Sequence, residues 1–385
     1  MTLRVLITNI SLASRSGTGM YVRDLALGLH RRGHQVVAYS PRLGELAAQL
    51  SNDSIPVVDR LDRITEPPDV IHGHHSLETM AALLHFPTVP AIFVCHDCSS
   101  WHDTAPRFPR IRQYVAVDHA CQERLTMRDG ISSQQVRVLY NGVDMRRFKP
   151  RGPLPKCLKR ALIISNYADS RTVQPIREAC IQAGITLDII GDKFGGSCLQ
   201  PELRLPEYDL VFAKGRCAWE ALSVGAAVVV CDAKGIGPLV TVAELDRLSR
   251  WNFGRRLLTN PIRIDTVRRQ IARYDAVDAN NVHNRIRAMS DIERLLDQLI
   301  ALYQEVIEEQ RESIPNANAE SIAAAELLHW WATTHSELTR QRAKRYLPSS
   351  IAARWWRDVK KHLTLGWPRL SRTVRQARQP RSRAA

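Results

Sequence analysis

The amino-acid sequence predicts an α/β protein with two doubly wound, mostly parallel sheets, one in each half of the chain. Short apolar runs rich in Val and Ile recur along it and alternate with helical segments. Such runs are typical of strands buried on both faces, and alternation with helices favours parallel strands joined by right-handed crossovers. The runs are RVLITNI, QVVAYS, DVIHGHH, AIFVCHD, YVAVD and VRVLY, and, after a break, ALIIS, LDIIG, DLVFA and AAVVVCD.

The break between the two series predicts a linker between two domains. The segment VRVLYNGVDMRRFKPRGPLPKCLKR turns at the Asn141-Gly142 pair, which favours positive φ. It then carries three prolines that forbid a continuing helix or a central strand. We therefore predict a first domain at residues 1–145, a linker at 146–158 and a second domain at 159–310.

The second domain is predicted to end in a long amphipathic helix over residues 285–310. Its apolar side chains recur at three- and four-residue spacing, as one buried helix face requires. The residues on this face are Leu295, Leu296, Leu299, Ile300 and Tyr303.

Residues 311–385 are predicted to form a helical, basic tail. From Arg340 to Ala385 there are fourteen Lys or Arg and one acid, so this segment holds +13 of the net charge of +15. Tryptophans among the cations, Trp355 and Trp356 included, suit an anionic membrane surface. A solvated tail, a contact with a protein partner and nucleic-acid binding are the alternatives, and no nucleic-acid-binding motif supports the last.

Membrane-spanning and disulfide-stapled classes of protein are not favoured. No uninterrupted apolar run of about 18 residues is present, and the first ten residues predict a strand instead of a signal peptide. The eight cysteines are scattered. We therefore expect a reduced, cytoplasmic protein, with the tail as a means of peripheral attachment to the inner face of the cell membrane.

A glycine loop follows the first strand. Gly17-Thr18-Gly19 opens a helix, and bare amides at a helix N-terminus attract anions. A dinucleotide fingerprint would need a third glycine, where Val22 stands, and an acid after the second strand, where Ser40 and Pro41 stand. A phosphate- or sugar-facing loop and a plain tight turn remain the alternatives.

Histidines follow two other strands of the first series. Because open α/β sheets bind ligands at the carboxyl ends of their strands, His96 is a candidate to hydrogen-bond a ligand, with a purely structural histidine as the alternative. His72, His74 and His75 lie at a neighbouring strand end. No carboxylate accompanies them at ligand spacing, so no metal site is expected.

The stretch DLVFAKGRCAWEALSVGAAVVVCD, residues 209–232, predicts a strand, a turn at Gly215 and a helix that ends at Gly225. Lys214 and Arg216 would face a diphosphate at the start of that helix, and the Glu220 carboxylate could accept two ribose hydroxyls. Unremarkable loops between strand and helix are the alternative.

A further glycine-rich segment follows this helix and the next strand. Gly235 and Gly237 predict a second glycine loop, also before a helix, and they complete the candidate nucleotide-binding residues of this half of the chain.

These segments resemble the retaining, nucleotide-sugar-dependent glycosyltransferases that include bacterial mannosyltransferases and sucrose-phosphate synthases. The resemblance covers roughly residues 3–305. It is carried most specifically by VRVLYNGVDMRRFKP, and further by GTGMYVRDLALGLHRRGHQVVAYS, FVCHD, YVAVDHACQERL and EALSVGAAVVVCDAKGIGPLV. It implies the glycosyltransferase B-type fold, in which two Rossmann-like domains face each other across a cleft.

The resemblance also implies site roles. His96 matches the histidine at the donor sugar, Glu220 matches the glutamate that binds ribose, and Gly17 and Gly19 match the loop near the donor phosphates and the acceptor. Catalysis in such enzymes commonly needs no divalent metal, so neither a metal nor another cofactor is expected.

Two departures from the family pattern mark a divergent member. Phe212 stands where the family has a first glutamate, which usually contacts the donor sugar. After the first strand of the second domain Arg171 could supply the family's arginine, but no lysine follows. Lys214 and Arg216 are therefore expected to replace part of that charge and to act, with His96, as the catalytic groups.

The function predicted is sugar transfer from a UDP- or GDP-sugar to a hydroxyl of a glycan or lipid-linked acceptor, with retention, in cell-envelope polysaccharide or glycolipid synthesis. The alternatives are a catalytically inactive or epimerase-like sugar-nucleotide-binding protein of the same fold, and a nucleotide-free scaffold anchored by its tail.

Overall fold

The computed structural model of the chain describes residues 2–191, 194, 198 and 200–346. The described residues up to 317 form one compact unit, and the described residues from 318 to 346 belong to another. Both predicted sheets lie in the first unit, so their packing and the cleft between them belong to it.

The first sheet has seven parallel strands with helices between them. The strands are β1 (Arg4–Thr8), β2 (Gln35–Tyr39), β3 (Val57–Val58), β4 (Val70–His74), β5 (Ala91–Cys95), β6 (Ile111–Ala116) and β7 (Val136–Val138). The α-helices are α1 (Gly17–Arg31), α2 (Glu45–Asn52), α3 (Ser76–His85) and α4 (His119–Glu123). The spatial order is β3-β2-β1-β4-β5-β6-β7, which confirms a doubly wound domain.

The second sheet has five strands. They are β8 (Arg160–Ile164), β9 (Thr186–Ile190), β10 (Leu210–Ala213), β11 (Ala227–Asp232) and β12 (Gly235–Leu239), in the order β12-β11-β10-β8-β9. The α-helices are α5 (Ser170–Gln182), α6 (Pro201–Arg204), α7 (Arg216–Val224), α8 (Leu245–Arg250), α9 (Ile264–Ile271) and α10 (Ala276–Met289).

Both faces of this second sheet are buried. Along β10, Leu210 and Phe212 pack into one apolar cluster, and Val211 and Ala213 pack into another on the opposite face. Successive side chains of a strand point to opposite faces, so the continuous run LVFA is what a doubly covered strand needs. The predicted fold class is therefore confirmed.

The segment around Gly235 and Gly237 differs from the glycine loop that the sequence predicts. It is the edge strand β12, antiparallel to β11. A Cβ on Gly237 would lie 2.6 Å from the carbonyl oxygen of Leu257, and one on Gly235 would lie 2.8 Å from that of Asn260. The two glycines let the backbone at Leu257 and Asn260 pack closely against the strand. Two nearby glycines are typical of such close packing as well as of a phosphate-binding loop.

The structure also requires glycine at position 142 for a reason other than the predicted positive φ. The φ of Gly142 is not positive. A Cβ there would lie 2.7 Å from the Cα of Ile292, and Val143 exchanges backbone hydrogen bonds with Ser290 and Ile292. The glycine therefore allows close backbone approach where the chain returns from α10.

The helix predicted over 285–310 is two helices, α10 and α11 (Ile292–Glu312). Asp291 separates them and caps α11 by accepting the amide of Glu293 at 3.0 Å. The helix α11 packs on α1, β5 and β6 of the first sheet, and Gly28 of α1 leaves room for Leu296. The second domain predicted at 159–310 thus includes a helix that packs on the first domain.

The predicted helical tail is described only in part. The helix α12 spans Ala317–Tyr346, and Trp355 and Trp356 lie outside the described residues. Within the described part of the chain, no helix combines the length and apolarity that crossing a membrane requires.

Candidate functional site

Histidines gather at the carboxyl ends of β4 and β5. His96 Nε2 lies 2.8 Å from His74 Nδ1, and His72 Nδ1 lies 2.6 Å from the hydroxyl of Tyr303 on α11. Tyr21 of α1 packs edge-on against His96, with ring centroids 4.8 Å apart. The topology that places β4 beside β5 brings these rings together, as parallel strands that end at one edge must.

These imidazoles are neutral at pH 7. Burial, and to a lesser extent the other imidazoles of the group, lowers the pKa of His72 to about 3 and holds the pKa of His74 well below its usual value. Burial, with smaller contributions from His102 and Arg216, lowers the pKa of His96 to about 3. His96 can therefore hydrogen-bond a sugar hydroxyl, but it brings no positive charge to a leaving diphosphate.

His75, next in the chain, has a strained backbone. Its φ is +64°, which a residue with a Cβ adopts at a cost of about 1–3 kcal/mol. Its Nδ1 accepts the amide of Ile10 at 3.1 Å, and its ring packs against that of His102, with centroids 4.9 Å apart. This hydrogen bond and the packing against His102 stabilise the strained conformation at the carboxyl edge of the first sheet.

His75, His102 and Asp103 could together hold a metal ion, because their ligand atoms lie within 4.8 Å of one another. Burial raises the pKa of Asp103 to about 7, and the charge of Arg124 and the backbone amides of Asp97 and His96 oppose that rise. The amide of Ile10, however, occupies His75 Nδ1 and so leaves the proton on Nε2. A metal there would have to displace that proton, so a site that works without metal stays our prediction.

In the second sheet, the loop from β10 to α7 has the predicted form. Gly215 has a φ of +54° and Gly225 ends α7 with a φ of +96°, so both positions favour glycine. Lys214 Nζ lies 2.9 Å from Asp232 Oδ2 at the end of β11. The loop thus presents one lysine that is already paired with a buried carboxylate.

Arg216 and Glu220 belong to an ion cluster that joins the two domains. We call Asp24, Arg147, Arg216 and Glu220 the Asp24 cluster. Arg216 Nε donates to Glu220 Oε1 at 2.7 Å, and its Nη2 bonds to Asp24 Oδ2 on α1. Arg147 Nη1 donates to Asp24 Oδ1 at 2.8 Å.

The cluster is buried, and its arginines act on the pKa values of both of its carboxyl groups. Burial by itself would raise the pKa of Asp24, but Arg216 and Arg147 lower it below its usual value. Burial raises the pKa of Glu220, and the same two arginines oppose that rise. Glu220 is only 4% exposed, so it lies inside the junction of the domains instead of on an open wall of the cleft.

The remaining predicted residues are not brought together with this cluster. Arg171 is 92% exposed and bonds Asp169. Around Gly17 a Cβ would meet no atom within 4 Å, whereas Gly19 packs against Leu46 and its amide is capped by Ser16. Gly235 and Gly237 contact the returning backbone described above.

Sequence reasoning missed Asp24, Arg147, Asp232 and Asp103. Asp24 gave the one usable signal, an acid inside the apolar face of a helix, in YVRDLALGL. A buried acid needs a cationic partner, but its partners Arg147 and Arg216 are far away in sequence.

The family comparison gives one match. The model described as Glycosyltransferase Family 4 matches residues 15–147. This range begins before α1 and ends within the linker, at Arg147 of the Asp24 cluster. A comparison with curated protein sequences gave no significant match.

Solved structures match over most of the chain at low identity. A glycosyltransferase from Rickettsia africae is 12% identical, with a TM-score of 0.53, and the match covers 80% of this chain and 99% of that one. The Anabaena protein HepE, solved with UDP and glucose, is 15% identical, with a TM-score of 0.57 and coverage of 79% and 99%. A putative UDP-N-acetylglucosamine 2-epimerase from Listeria monocytogenes is 13% identical, with a TM-score of 0.51 and coverage of 82% and 99%.

These findings confirm the predicted resemblance in the fold of the chain and in the sequence of residues 15–147. The first domain carries the sequence signature, the two sheets match the fold of glycosyltransferases, and the low identities fit a divergent member. Residues 15–147 of the chain match the model of Glycosyltransferase Family 4, and the chain shares the B-type fold of these solved glycosyltransferases.

Proposed function

We propose that the chain transfers a sugar from a UDP- or GDP-sugar to an acceptor hydroxyl, with retention at the anomeric carbon. The observation that carries this proposal is the loop from β10 to α7. It sets Lys214, the N-terminus of α7, Arg216 and Glu220 at the carboxyl edge of the second sheet, against α1 of a family 4 domain. A structural neighbour, HepE, binds UDP and glucose, which supports a nucleotide sugar as the donor.

In this proposal the second domain binds the nucleotide. Lys214 and Arg216 contact the diphosphate, and Glu220, which is buried in the closed junction, accepts the ribose hydroxyls once the two domains part. Arg216 already bonds Asp24 and Glu220, so a diphosphate competes with Asp24 for its Nη2. Negative charge grows on the leaving oxygens as the sugar–phosphate bond breaks, so cations fixed in place beforehand stabilise the transition state most.

The first domain would then hold the sugar and the acceptor. Neutral His96 hydrogen-bonds a donor hydroxyl. The bond from the anomeric carbon to the phosphate oxygen breaks, the bond to the acceptor oxygen forms on the same face, and the acceptor proton passes to the leaving phosphate. Retention by this route rests on the family resemblance, and closure of the domains would exclude water.

The acceptor is proposed to be a glycan or lipid-linked molecule of cell-envelope synthesis, reached by a cytoplasmic protein attached peripherally to the membrane. The support is the charge of +13 in residues 340–385. Truncation at about residue 340 should abolish co-sedimentation of the purified protein with anionic vesicles. Unchanged partition would contradict the membrane proposal and leave the transferase proposal standing.

The donor site is tested with Glu220→Gln, which keeps the volume of the side chain and removes its charge. We expect UDP or GDP affinity, measured by calorimetry, to fall at least tenfold, since two hydrogen bonds to a charged acceptor weaken. Glu305→Gln is the matched control, because the Glu305 side chain is 40% exposed on the outer side of α11 and pairs with Arg137. If the thermal midpoint of Glu220→Gln stays near that of the wild type and its nucleotide affinity is unchanged, the site assignment is wrong.

An epimerase-like or inactive protein is the second candidate, favoured by the Listeria neighbour. A panel of nucleotide sugars incubated with and without acceptor separates the two. Donor conversion that needs no acceptor supports an epimerase, and nucleotide binding without any turnover supports an inactive protein.

A further inference from the structure

The segment directly after α8, residues 251–256, contacts both domains. On the side of the first domain, the Trp251 ring packs edge-on against that of His119, with centroids 6.1 Å apart, and Arg255 Nη1 donates to Ser99 Oγ at 2.6 Å. On the side of the second domain, the segment bonds α7 and the loop before it. We call it the bridging segment.

Asn252 of the bridging segment bonds two other parts of the chain through one oxygen. Its Oδ1 accepts the indole N–H of Trp219 on α7 at 2.6 Å and the side-chain N–H of Asn141, which follows β7, at 3.2 Å. Trp219 is only 1% exposed, and a buried indole N–H needs an acceptor. Asn252 therefore joins α7 to the end of the first domain.

Phe253 has a backbone conformation that helix capping does not explain. Asn252 has a φ of +54° and ends α8 in the left-handed conformation, as asparagine often does. Phe253 has a φ of +47°, which is costly for a bulky side chain. Its carbonyl oxygen accepts the amide of Gly215 at 3.0 Å, and its buried ring packs on that of Trp219, with centroids 4.7 Å apart. The strained residue thus holds the turn from which α7 starts.

The other end of the bridging segment contacts the loop that follows β5. Ser99 Oγ, which accepts the hydrogen bond from Arg255, itself donates to Asp97 Oδ1 at 2.7 Å. Asp97 is next to His96 in the chain. The bridging segment therefore connects the loop of His96 with the loop of Lys214.

We propose that Asn252 is a positioning residue for the loop between β10 and α7. By accepting Trp219 and Asn141 together, it fixes α7 and the loop before it relative to the first domain. That loop carries Lys214, and α7 begins with Arg216, so their placement decides where these cations meet a diphosphate. The role in donor binding rests on the proposed function, and the placement of the loop does not.

The test compares Asn252→Gly with Asn252→Asp in the full-length protein. Glycine keeps the left-handed conformation and removes the acceptor, whereas aspartate keeps both the conformation and the acceptor oxygens. We expect affinity for UDP or GDP, measured by calorimetry, to fall about tenfold in Asn252→Gly, as loss of two hydrogen bonds predicts. Most of the affinity should return in Asn252→Asp.

Asn260→Gly is the matched control, because the Asn260 side chain is exposed and bonds its neighbour Thr259. It should keep the nucleotide affinity of the wild type. Equal losses of affinity in Asn252→Gly and Asn252→Asp would mean that the acceptor oxygen does not position the loop, and wild-type affinity in folded Asn252→Gly would overturn the proposal as well.

Hydrogen exchange gives a readout that needs no nucleotide. The amides of residues 213–219 should exchange faster in Asn252→Gly than in the wild type and in Asn252→Asp, because Gly215 and Trp219 are then held less firmly. If neither UDP nor GDP binds the wild type, the proposed function fails, and this difference in exchange still supports the positioning role. Equal exchange in the three proteins overturns it.

Trp219→Phe removes the same hydrogen bond from the side of α7 and replaces Asn252→Gly if that variant does not fold. It should also weaken nucleotide affinity and speed exchange of the loop. Where both variants fold, their combined loss of affinity should be smaller than the sum of the two, because they share one hydrogen bond. Full additivity, or wild-type affinity in Trp219→Phe, contradicts the proposal.

Discussion

The two sheets present opposite chemistry where they meet. The first sheet ends in neutral imidazoles, with His72 and His74 buried and His96 half-buried against aromatic rings. The second ends in ion pairs, with Lys214 on Asp232 and Arg216 on Glu220. Hydrogen bonds without net charge suit the hydroxyls of a sugar, and fixed charges suit a diphosphate.

Because one edge is neutral and the other is charged, the two edges lose stability under different conditions. Buried imidazoles are stable only while they are uncharged, so low pH destabilises the folded chain at this edge. A buried ion pair is stable only while both partners are present, so removal of one partner destabilises the protein. Arg216→Gln perturbs the charged edge, and acidification perturbs the neutral edge.

The largest effect is expected from Arg216→Gln. The change leaves Asp24 Oδ2 without its arginine and Glu220 Oε1 without its bond of 2.7 Å, both inside a buried junction. Breaking a buried pair typically costs about 3–5 kcal/mol, so the free energy of unfolding should fall by that order. Denaturant unfolding followed by tryptophan fluorescence measures the change.

The control for this prediction is Arg247→Gln. Arg247 also pairs with a glutamate, Glu244, but it is 57% exposed, so its loss should cost less than about 1 kcal/mol. Equal and small effects of the two substitutions would mean that the Asp24 cluster does not hold the domains together.

Acidification should come next and should act on the first sheet. The pKa of His72 and that of His96 are about 3 in the folded chain. An unfolded chain takes up these protons near pH 6.5, so between pH 6.5 and pH 3 unfolding is favoured as pH falls. At pH 5 each histidine should have cost up to about 2 kcal/mol, all of which is absent above pH 7.

Unfolding at pH 7 and pH 5 in the wild type and in His72→Phe measures this term. The substitution should reduce the loss of stability between the two pH values by up to about 2 kcal/mol, whatever it does to stability at pH 7. His85→Gln removes a surface imidazole from the same domain and controls for the loss of any histidine. An identical pH dependence in all three proteins would show that His72 does not resist protonation.

Much of the fold could be predicted because it depends on local pattern. The run LVFA and the glycines at 215 and 225 fix a buried strand, a turn and a helix within twenty residues, and all three are found. The roles of Gly235, Gly237 and Gly142 could not be predicted, because each glycine makes room for the backbone of a segment that is distant in sequence. These segments contain Asn260, Leu257 and Ile292, respectively. A close approach between distant segments leaves no local signature.

The candidate site divides along the same line. Lys214, Arg216 and Glu220 could be proposed together because they are close in sequence, with Lys214 just before α7 and Arg216 and Glu220 one turn of that helix apart. Their partners Asp24 and Arg147 were not, because each lies in another element and only the folded chain joins them. Charge balance in a buried cluster is a property of the tertiary structure, so the sequence could suggest the cations and not show that carboxylates already hold them.

The smallest effect is expected at the rim of the domain junction, with Arg256→Gln. Arg256 pairs with Glu123 across the domains, but the two side chains are 49% and 36% exposed. Its guanidinium also lies 4.8 Å from the centre of the Trp251 ring. The substitution should lower the free energy of unfolding by less than about 1 kcal/mol, and high salt should remove most of that difference. A loss as large as that of Arg216→Gln, and independent of salt, would mean that rim and buried contacts contribute alike, which the exposure of the pair argues against.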